Sequence, residues 1–527
     1  MRHLVFPINA LPSCQMVDTG IDDILWDANL KFEALRRYYD KIDADLLFYL
    51  GDVAIQAEAM GATIAYYKEG MPAVQYRPQA FHVSDPADVP RMKVNAQVMK
   101  RMEKEFPDKI RVAQLFGAFT VAGQIAGEET ILKGLVEDQR EVIAILEKTF
   151  ECARRYADYL VEAGANLVWI SDPLAVLIPP DQFWKFAGIY LKRIFDAFSA
   201  FPTFLHICGD TYQIIREMVD TGVGGISFDN CMDLLVVEDE IPDDVYLIGN
   251  IDPVGVIELG SPDEVASHTS DLVSIMAHKD NFILSTGCAV PPLAPLENIR
   301  LFVETGRESF GDFKSDTPLI PDISHSVYLG DGEATLQGVM TALEAKVDPL
   351  RIITRGLTRA MRKGSAMYDA KLCFLPSILL MVDAFYRGFQ ALEHRLDSEK
   401  AKQPDIIIGT VKGDIHEIGK NLVRIFLETH GHNVIDLGVD VSANSFMEAY
   451  EQYVPSIIGL SAFTTQSKKE LENIINVFHS EGIRDVLFIV GGATVNHEVS
   501  RSVGAHGYAR DAVRAVSLVE KLLKQKA

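Results

Sequence analysis

Apolar positions along the chain follow two alternating rhythms. Short β-prone runs, RVAQLF (111–116), NLVWIS (166–171), TFLHIC (203–208), GISFDN (225–230), VYLIGN (245–250) and NFILSTG (281–287), are each followed by a turn and a helical pattern. In DQFWKFAGIYLKRIFDAF (181–198) and YQIIREMVDTG (212–222) the apolar residues recur at three- and four-residue steps, the period of a half-buried helix. Strand and helix alternating over about 300 residues predict a parallel sheet, and closure into a (β/α)8 barrel suits that length. A doubly wound open sheet fits the same pattern.

The rhythm then changes twice. EATLQGVMTALEAKV (333–347), LRIITRGLTRAMRKGSAMYDA (350–370) and LPSILLMVDAFYRGFQALEHRL (375–396) carry helical spacing only, which predicts a bundle of about four helices. After residue 404 alternation resumes on a smaller scale. The strands there are DIIIGT (405–410), NVIDLG (433–438), SIIGLS (456–461) and VLFIVGG (486–492), with helices near 417–429, 443–453, 467–480 and 510–525. That is a doubly wound, Rossmann-like domain, whose ligands belong at the carboxyl ends of its strands. KSDTPLIPDISH (314–325) and HRLDSEKAKQPD (394–405) lack an apolar period and read as linkers. The expected division is a barrel over 1–315, a helical region over 324–396 and a small α/β domain over 404–527.

Composition narrows the function classes. A chain of 527 residues, 48% hydrophobic and 24% charged, has the balance of a folded multidomain protein. Its longest apolar runs are too short to span a bilayer, and the first residues show no cleavable leader, so a cytosolic location is expected. A net charge of −24 argues against a nucleic-acid partner. Six cysteines far apart in such a chain do not form a disulfide framework; any with a function should be a metal ligand or a reactive thiol.

Two constellations carry candidate chemistry. In GTVKGDIHEIGKNLV (409–423), Asp414, His416 and Gly419 form D-x-H-x-x-G at a strand-to-helix turn. There an imidazole can project past the sheet edge while Asp414 holds its far nitrogen, as outer-shell carboxylates do for metal-bound histidine. Ser461, 42 positions after Gly419, and the pair Gly491 and Gly492, 30 positions beyond Ser461, end later strands, so one elongated ligand could touch all of them. In the barrel half, His206 and Cys208 stand two apart on one strand, and Cys288 follows 80 positions later at another strand end. One imidazole and two thiolates leave a fourth position open on zinc, the arrangement of a catalytic site. Cys14, Cys152, Cys231 and Cys373 read as small buried residues. Asp172, Asn250 and Asp252, also at strand ends, either cap helices and brace loops or shape a substrate pocket.

The D-x-H-x-x-G, serine and paired-glycine pattern resembles the cobalamin-binding domain of methionine synthase and of methanogen corrinoid proteins. The resemblance implies His416 as lower ligand to cobalt, Asp414 as its partner, and Ser461, Thr465, Gly491 and Gly492 along the nucleotide tail of the cofactor. The preceding helical bundle is implied to cap the corrin. Phe463 departs from the leucine usual in that family and reads as slot packing. LFGAFTVAGQIAG, ISDPLA, LHICGDT, GNIDP and TGCAVPPLAPLENI resemble, in order, the uroporphyrinogen-decarboxylase superfamily and its zinc methyltransferase branch, which implies His206, Cys208 and Cys288 as zinc ligands. True decarboxylases of that superfamily need no metal and use arginines near the N-terminus; here the first 35 residues contain only Arg2.

Together the resemblances imply a corrinoid- and zinc-dependent methyltransferase, fused in the same order as chloromethane:corrinoid methyltransferases. A small methyl donor, a methyl halide or methylated thiol, would load Co(I) of the chain's own corrinoid. The alternative is the unloading step, onto a thiol or tetrahydrofolate, with uroporphyrinogen-type decarboxylation more remote. Expected partners are a second methyltransferase or such an acceptor, and a reductive activator for Co(II). A corrinoid carrier without chemistry would need only 325–527, and a radical mutase would not require a thiolate-rich zinc site.

Overall fold

The computed structural model describes residues 3–68, 70–312, 319–369, 372–393, 405–429, 432–464, 466–510 and 512–526. The chain packs as two compact units, Met1–Gly388 and Phe389–Ala527.

In the first unit eight strands form one parallel sheet: Val5–Ile8, Leu46–Phe48, Ile110–Phe116, Leu167–Ser171, Thr203–Ile207, Gly225–Phe228, Tyr246–Ile251 and Phe282–Ala289. Each pairs with the next from the second onward, and the last pairs back onto the first. At the remaining seam Val5 accepts from the Asp45 amide at 3.2 Å and donates its own amide to the Asp45 carboxylate at 2.7 Å. The sheet is thus a nearly closed (β/α)8-type barrel, and the open-sheet alternative falls away. Its interior is solid. Trp169 packs edge-on against Phe6, Phe48 and Phe204, at centroid distances of 6.0, 5.5 and 5.8 Å. Since Phe6 and Trp169 lie on strands that are not neighbours, these rings meet across the barrel, filling it beneath the mouth.

Four helical stretches follow: Leu319–Tyr328, Gly332–Glu344, a run from Pro349 through a π-helical turn Ile352–Leu357 into Thr358–Asp369, and Leu375–Glu393. The first corrects the expectation of a linker over 314–325. Residues 313–318 lie outside the described residues, but 319–325 are helical, because Ile320, Ile323 and Val327 recur at helical spacing and are buried. Pro321 sits in the first turn, where its missing N–H costs nothing. By packing, this helical region up to Gly388 belongs with the barrel. The other expected linker, 394–405, lies outside the described residues except for Asp405.

The second unit carries a five-stranded parallel sheet in the spatial order Val434–Asp436, Ile406–Thr410, Ile457–Ser461, Leu487–Gly491, Gly507–Tyr508. Numbered along the chain this is 2-1-3-4-5, the flavodoxin-like order, whose topological switch point lies between the first and third strands. Thr410 pairs with Ser461 there, and Ser461 pairs with Gly491. Among the described residues no helix is long and apolar enough to cross a membrane.

Candidate functional site

At the barrel mouth the structure brings His206, Cys208 and Cys288 together, their ligand atoms all within 4.8 Å of one another. His206 Nε2 lies 3.0 Å from Cys208 Sγ, which lies 3.6 Å from Cys288 Sγ. Zinc–ligand bonds of about 2.0–2.3 Å in a tetrahedron separate neighbouring donors by roughly 3.5–3.8 Å, so this set fits an ion with little adjustment. The imidazole is buried and its Nδ1 faces the carbonyl and hydroxyl of Ser227 at 3.2 and 3.1 Å. That contact directs Nε2 toward the thiols. The two thiols are in hydrogen-bond contact. The hydrogen bond from Cys208 holds Cys288 down, to about 4, with His206 assisting against burial, while Cys208 is driven far up by the same bond and by burial.

Asp229, which sequence reasoning missed, stands beside this cluster and helps push the Cys208 thiol up. Its carboxylate accepts from the amides of Gly209, at 3.0 Å, and Cys231, at 3.1 Å. Its position just beyond the strand Gly225–Phe228 was the available signal. Cys231 is exposed, not the buried residue expected, because it sits in this mouth loop; burial of its thiol side and Asp229 raise it to about 11. Cys152 is buried, and burial raises it to about 12. Cys14 and Cys373 are half-buried and donate to the carbonyls of Pro292 and Gly364.

The three further strand-end residues have structural partners. Asp172 is buried and accepts the Thr120 amide at 2.8 Å and hydroxyl at 2.6 Å, anchoring the first turn of helix Ala118–Ala126. Burial raises its carboxyl to about 6 against those hydrogen bonds. Asp252 caps the turn that follows it through Val254 and Gly255. Asn250 donates to the carbonyls of Asp229 and Met232, bracing the loop beside the thiol cluster.

In the second unit the D-x-H-x-x-G turn lies at the switch point. Asp414 is buried and accepts five hydrogen bonds. One oxygen takes the His416 amide (3.0 Å) and Nδ1 (2.8 Å); the other takes the amides of Phe463 (2.6 Å) and Thr464 (3.2 Å) and the Ser467 hydroxyl (3.0 Å). Burial opposes ionisation, but the amide, imidazole and hydroxyl donors outweigh it and hold the carboxyl near 2. His416 therefore presents Nε2 outward, on a side chain 51% exposed, with no protein hydrogen bond to that nitrogen among the described residues. Its ring stacks on Phe463, centroids 4.1 Å apart and planes 20° from parallel.

Ser467 was also missed; it opens the helix Ser467–Ser480, and only its 53-position distance from Asp414 hides the link. Ser461 ends its strand next to Gly491. Gly492 has φ +120° and a Cβ there would stand 2.1 Å from the Ala462 carbonyl, so the turn admits only glycine. At Gly419, by contrast, a Cβ would meet nothing within 4 Å. Thr465 lies outside the described residues.

A parallel barrel with an imidazole–dithiol cluster at its mouth, and a flavodoxin-like domain presenting an anchored imidazole, define an α/β protein with two candidate sites, the first able to hold a metal ion. The chain belongs to the uroporphyrinogen decarboxylase (URO-D) family, whose profile matches residues 13–309, and it carries two B12 binding domains, matched over 319–393 and 404–517. It is 32% identical over 212 residues to dimethylamine corrinoid protein 1 of Methanosarcina acetivorans, covering 40% of this chain and 99% of that one. It is 31% identical over 210 residues to trimethylamine corrinoid protein 2 of Methanosarcina mazei, covering 39% and 96%. In fold it is similar to a solved methyltransferase from Methanosarcina mazei, with a TM-score of 0.53 at 22% identity, over 58% of this chain and 92% of that one.

Proposed function

We propose that the chain is a corrinoid- and zinc-dependent methyltransferase that takes a methyl group from a small donor, a methyl halide or methylated thiol, and loads it onto its own corrinoid. The observation that carries this reading is the pairing of two donor sets in one chain, each suited to a different metal. His206, Cys208 and Cys288 supply the soft, partly ionised nitrogen and sulfur ligands that zinc takes, with room for a fourth. Zinc held there would polarise a sulfur or other leaving group of the donor.

The residues around His416 suit a corrinoid in three respects. Nε2 is presented on a half-exposed ring whose other nitrogen is anchored by an ionised carboxylate. Ser461 and Gly491 end adjacent strands at the switch point, where ligands of such sheets bind. The protein itself has no steric use for glycine at position 419, so the lack of a side chain there serves something that approaches from outside. A reduced corrinoid supplies a strongly nucleophilic cobalt. The chain's own contribution is to orient the lower ligand, hold zinc and bring donor to the barrel mouth. A methyl acceptor, brought as a thiol or tetrahydrofolate by a second methyltransferase, and a reductive activator complete the cycle.

One observation favours the reverse, unloading direction: zinc held by His206, Cys208 and Cys288 with a position left open would bind an incoming thiol as thiolate. Anaerobic reconstitution with reduced corrinoid, followed by a spectral screen of methyl halides, methylthiols and methoxylated compounds, separates the two. Alkylation of the corrinoid by one of these donors is the expected result. If none reacts, yet chemically methylated holoprotein passes its methyl group to a thiol, the unloading direction stands.

A further inference from the structure

Phe463 is an apolar ring left 46% exposed at the end of a strand, where an aromatic side chain gains little from burial. Its one ring partner among the described residues is His416, at 4.1 Å and nearly parallel. The same residue donates its backbone amide to Asp414 at 2.6 Å, and Asp414 in turn accepts His416 Nδ1 at 2.8 Å. Backbone and side chain of Phe463 therefore converge on one imidazole by two routes.

The two contacts constrain different things. A hydrogen bond to Nδ1 fixes the direction of that nitrogen but lets the ring swing about the bond. A stacked face fixes the ring plane. On a side chain half open to water, the hydrogen bond alone leaves several ring orientations available, and each misdirects the Nε2 lone pair.

We propose that Phe463 is a positioning residue that locks the plane of the His416 imidazole and so favours its attachment to the cobalt of the bound corrinoid over release. The role extends the corrinoid reading given above and rests on it. Leucine at this position would pack against the ring but impose its plane less strictly, so the aromatic tightens a setting that an aliphatic residue leaves looser.

The test uses the full chain with carbon-13 labels in its histidines. In the corrinoid-free protein the His416 ring protons are expected to be displaced upfield by the Phe463 ring current, with a single ring orientation. Phe463→Ala should remove the displacement and broaden or multiply the signal, while Phe463→Tyr should keep both features. In the cobalt(II) holoprotein, nitrogen splitting in the electron paramagnetic resonance spectrum reports histidine attachment. There the attached-to-detached ratio should fall roughly two- to tenfold in Phe463→Ala, the size expected of an aromatic stack, less in Phe463→Leu, and hardly in Phe463→Tyr. An unchanged ratio in Phe463→Ala, with the ring displacement abolished, overturns the proposal and leaves Phe463 as slot packing. A wild-type chain that takes no corrinoid, or takes it without histidine attached, sinks the corrinoid reading instead. The resonance comparison in the corrinoid-free chain then decides the ring-locking part by itself: an equally ordered His416 ring in Phe463→Ala overturns it, and a disordered one supports it.

Discussion

Glu238 and Arg359, 121 positions apart, meet in a charge pair at 2.6 Å that ties the helical region to the barrel. Glu238 is 3% exposed and also faces Lys363 at 3.2 Å and His278 at 3.3 Å, while Lys363 reaches Asp239 as well. The cluster joins helix Thr358–Asp369 to the segments following Leu234–Val237 and Pro262–Met276. Both of those segments lead into strand starts, at the end of the barrel opposite the thiol cluster.

Glu238→Gln should loosen this attachment, because it leaves two cations facing a neutral amide in a largely dry contact. Removing one partner of a buried pair costs about 3–5 kcal/mol; the partial exposure of Arg359 and Lys363 brings the expected loss to roughly 2–3 kcal/mol. Burial works against the Glu238 carboxylate, but His278, Arg359 and Lys363 outweigh it and hold it near 2, against 4.5 for a free glutamate. Its stabilisation is therefore complete above about pH 4.5 and lost as pH falls toward 2. Urea unfolding of the full chain at pH 7 and pH 3.5 checks both: the wild type should lose stability between these values, and Glu238→Gln should lose less. Equal stability of the two proteins at pH 7 would refute the attachment.

Much of this was legible in the sequence, and the losses have physical causes. Strands of five or more residues, such as Ile110–Phe116 and Phe282–Ala289, announce themselves by apolar density. Val5–Ile8 and Leu46–Phe48 span four and three residues and fall outside the regular strand-turn-helix rhythm that marks equally short strands such as Gly225–Phe228, so only barrel closure demands them. The donor set His206, Cys208 and Cys288 could be proposed from residue chemistry and strand-end placement. Asp229 had only the weak signal of a place just beyond a strand, and Ser467 had none, because only the fold brings them to a thiol or to Asp414. The stack of Phe463 on His416 was not legible for the opposite reason: the residue type suggests packing, and the ring contact exists only in three dimensions.

Removal of single donors from the barrel cluster should separate the zinc reading from the corrinoid reading. The purified chain is expected to hold close to one zinc, and Cys208→Ser or Cys288→Ser should lower that content and abolish turnover, since each removes one of the three donors that the described residues bring together. Ser227→Ala, which leaves the donor set intact but frees one hold on His206 Nδ1, should weaken zinc binding by about tenfold. Corrinoid should still bind in all three, because His416 and the residues around it lie in the other unit. Metal content by mass spectrometry after graded chelation reports the order; full activity in a zinc-free preparation would end the zinc assignment.

Asp414→Asn should do more than release the His416 imidazole. The carboxylate receives three donors on one oxygen, and an amide nitrogen placed there would face N–H groups and a hydroxyl that need an acceptor. Loss of stability in the C-terminal unit of about 1–3 kcal/mol is expected, with Ser467→Ala costing nearer 1. With the folded carboxyl near 2 and an unfolded aspartate at 3.8, the stabilisation is present above about pH 3.8 and fades as pH falls toward 2. Thermal unfolding of the corrinoid-free chain at pH 7 and pH 3 measures it; an Asp414→Asn protein as stable as wild type at pH 7 would show that the five contacts contribute nothing.

Two glycines in the same unit should respond oppositely to the same added methyl group. At Gly492 the backbone is at φ +120° and the new Cβ would lie 2.1 Å from the Ala462 carbonyl, so Gly492→Ala must shift the strand end and should destabilise the corrinoid-free protein by about 1–3 kcal/mol. Gly419 lies in the first turn of helix Ile418–Thr429, and its Cβ would enter open space. Alanine there removes the entropic weakness of glycine in a helix, so Gly419→Ala should leave the corrinoid-free protein unchanged or more stable by up to about 1 kcal/mol. Its cost should appear only when the corrinoid is added, as a loss of affinity of about tenfold or more, because on the proposed reading the methyl group would stand where the cofactor approaches the backbone. Unfolding curves without corrinoid and equilibrium titration with it read the two effects separately. Corrinoid bound by Gly419→Ala as tightly as by the wild type would mean that this turn is not the surface the cofactor meets.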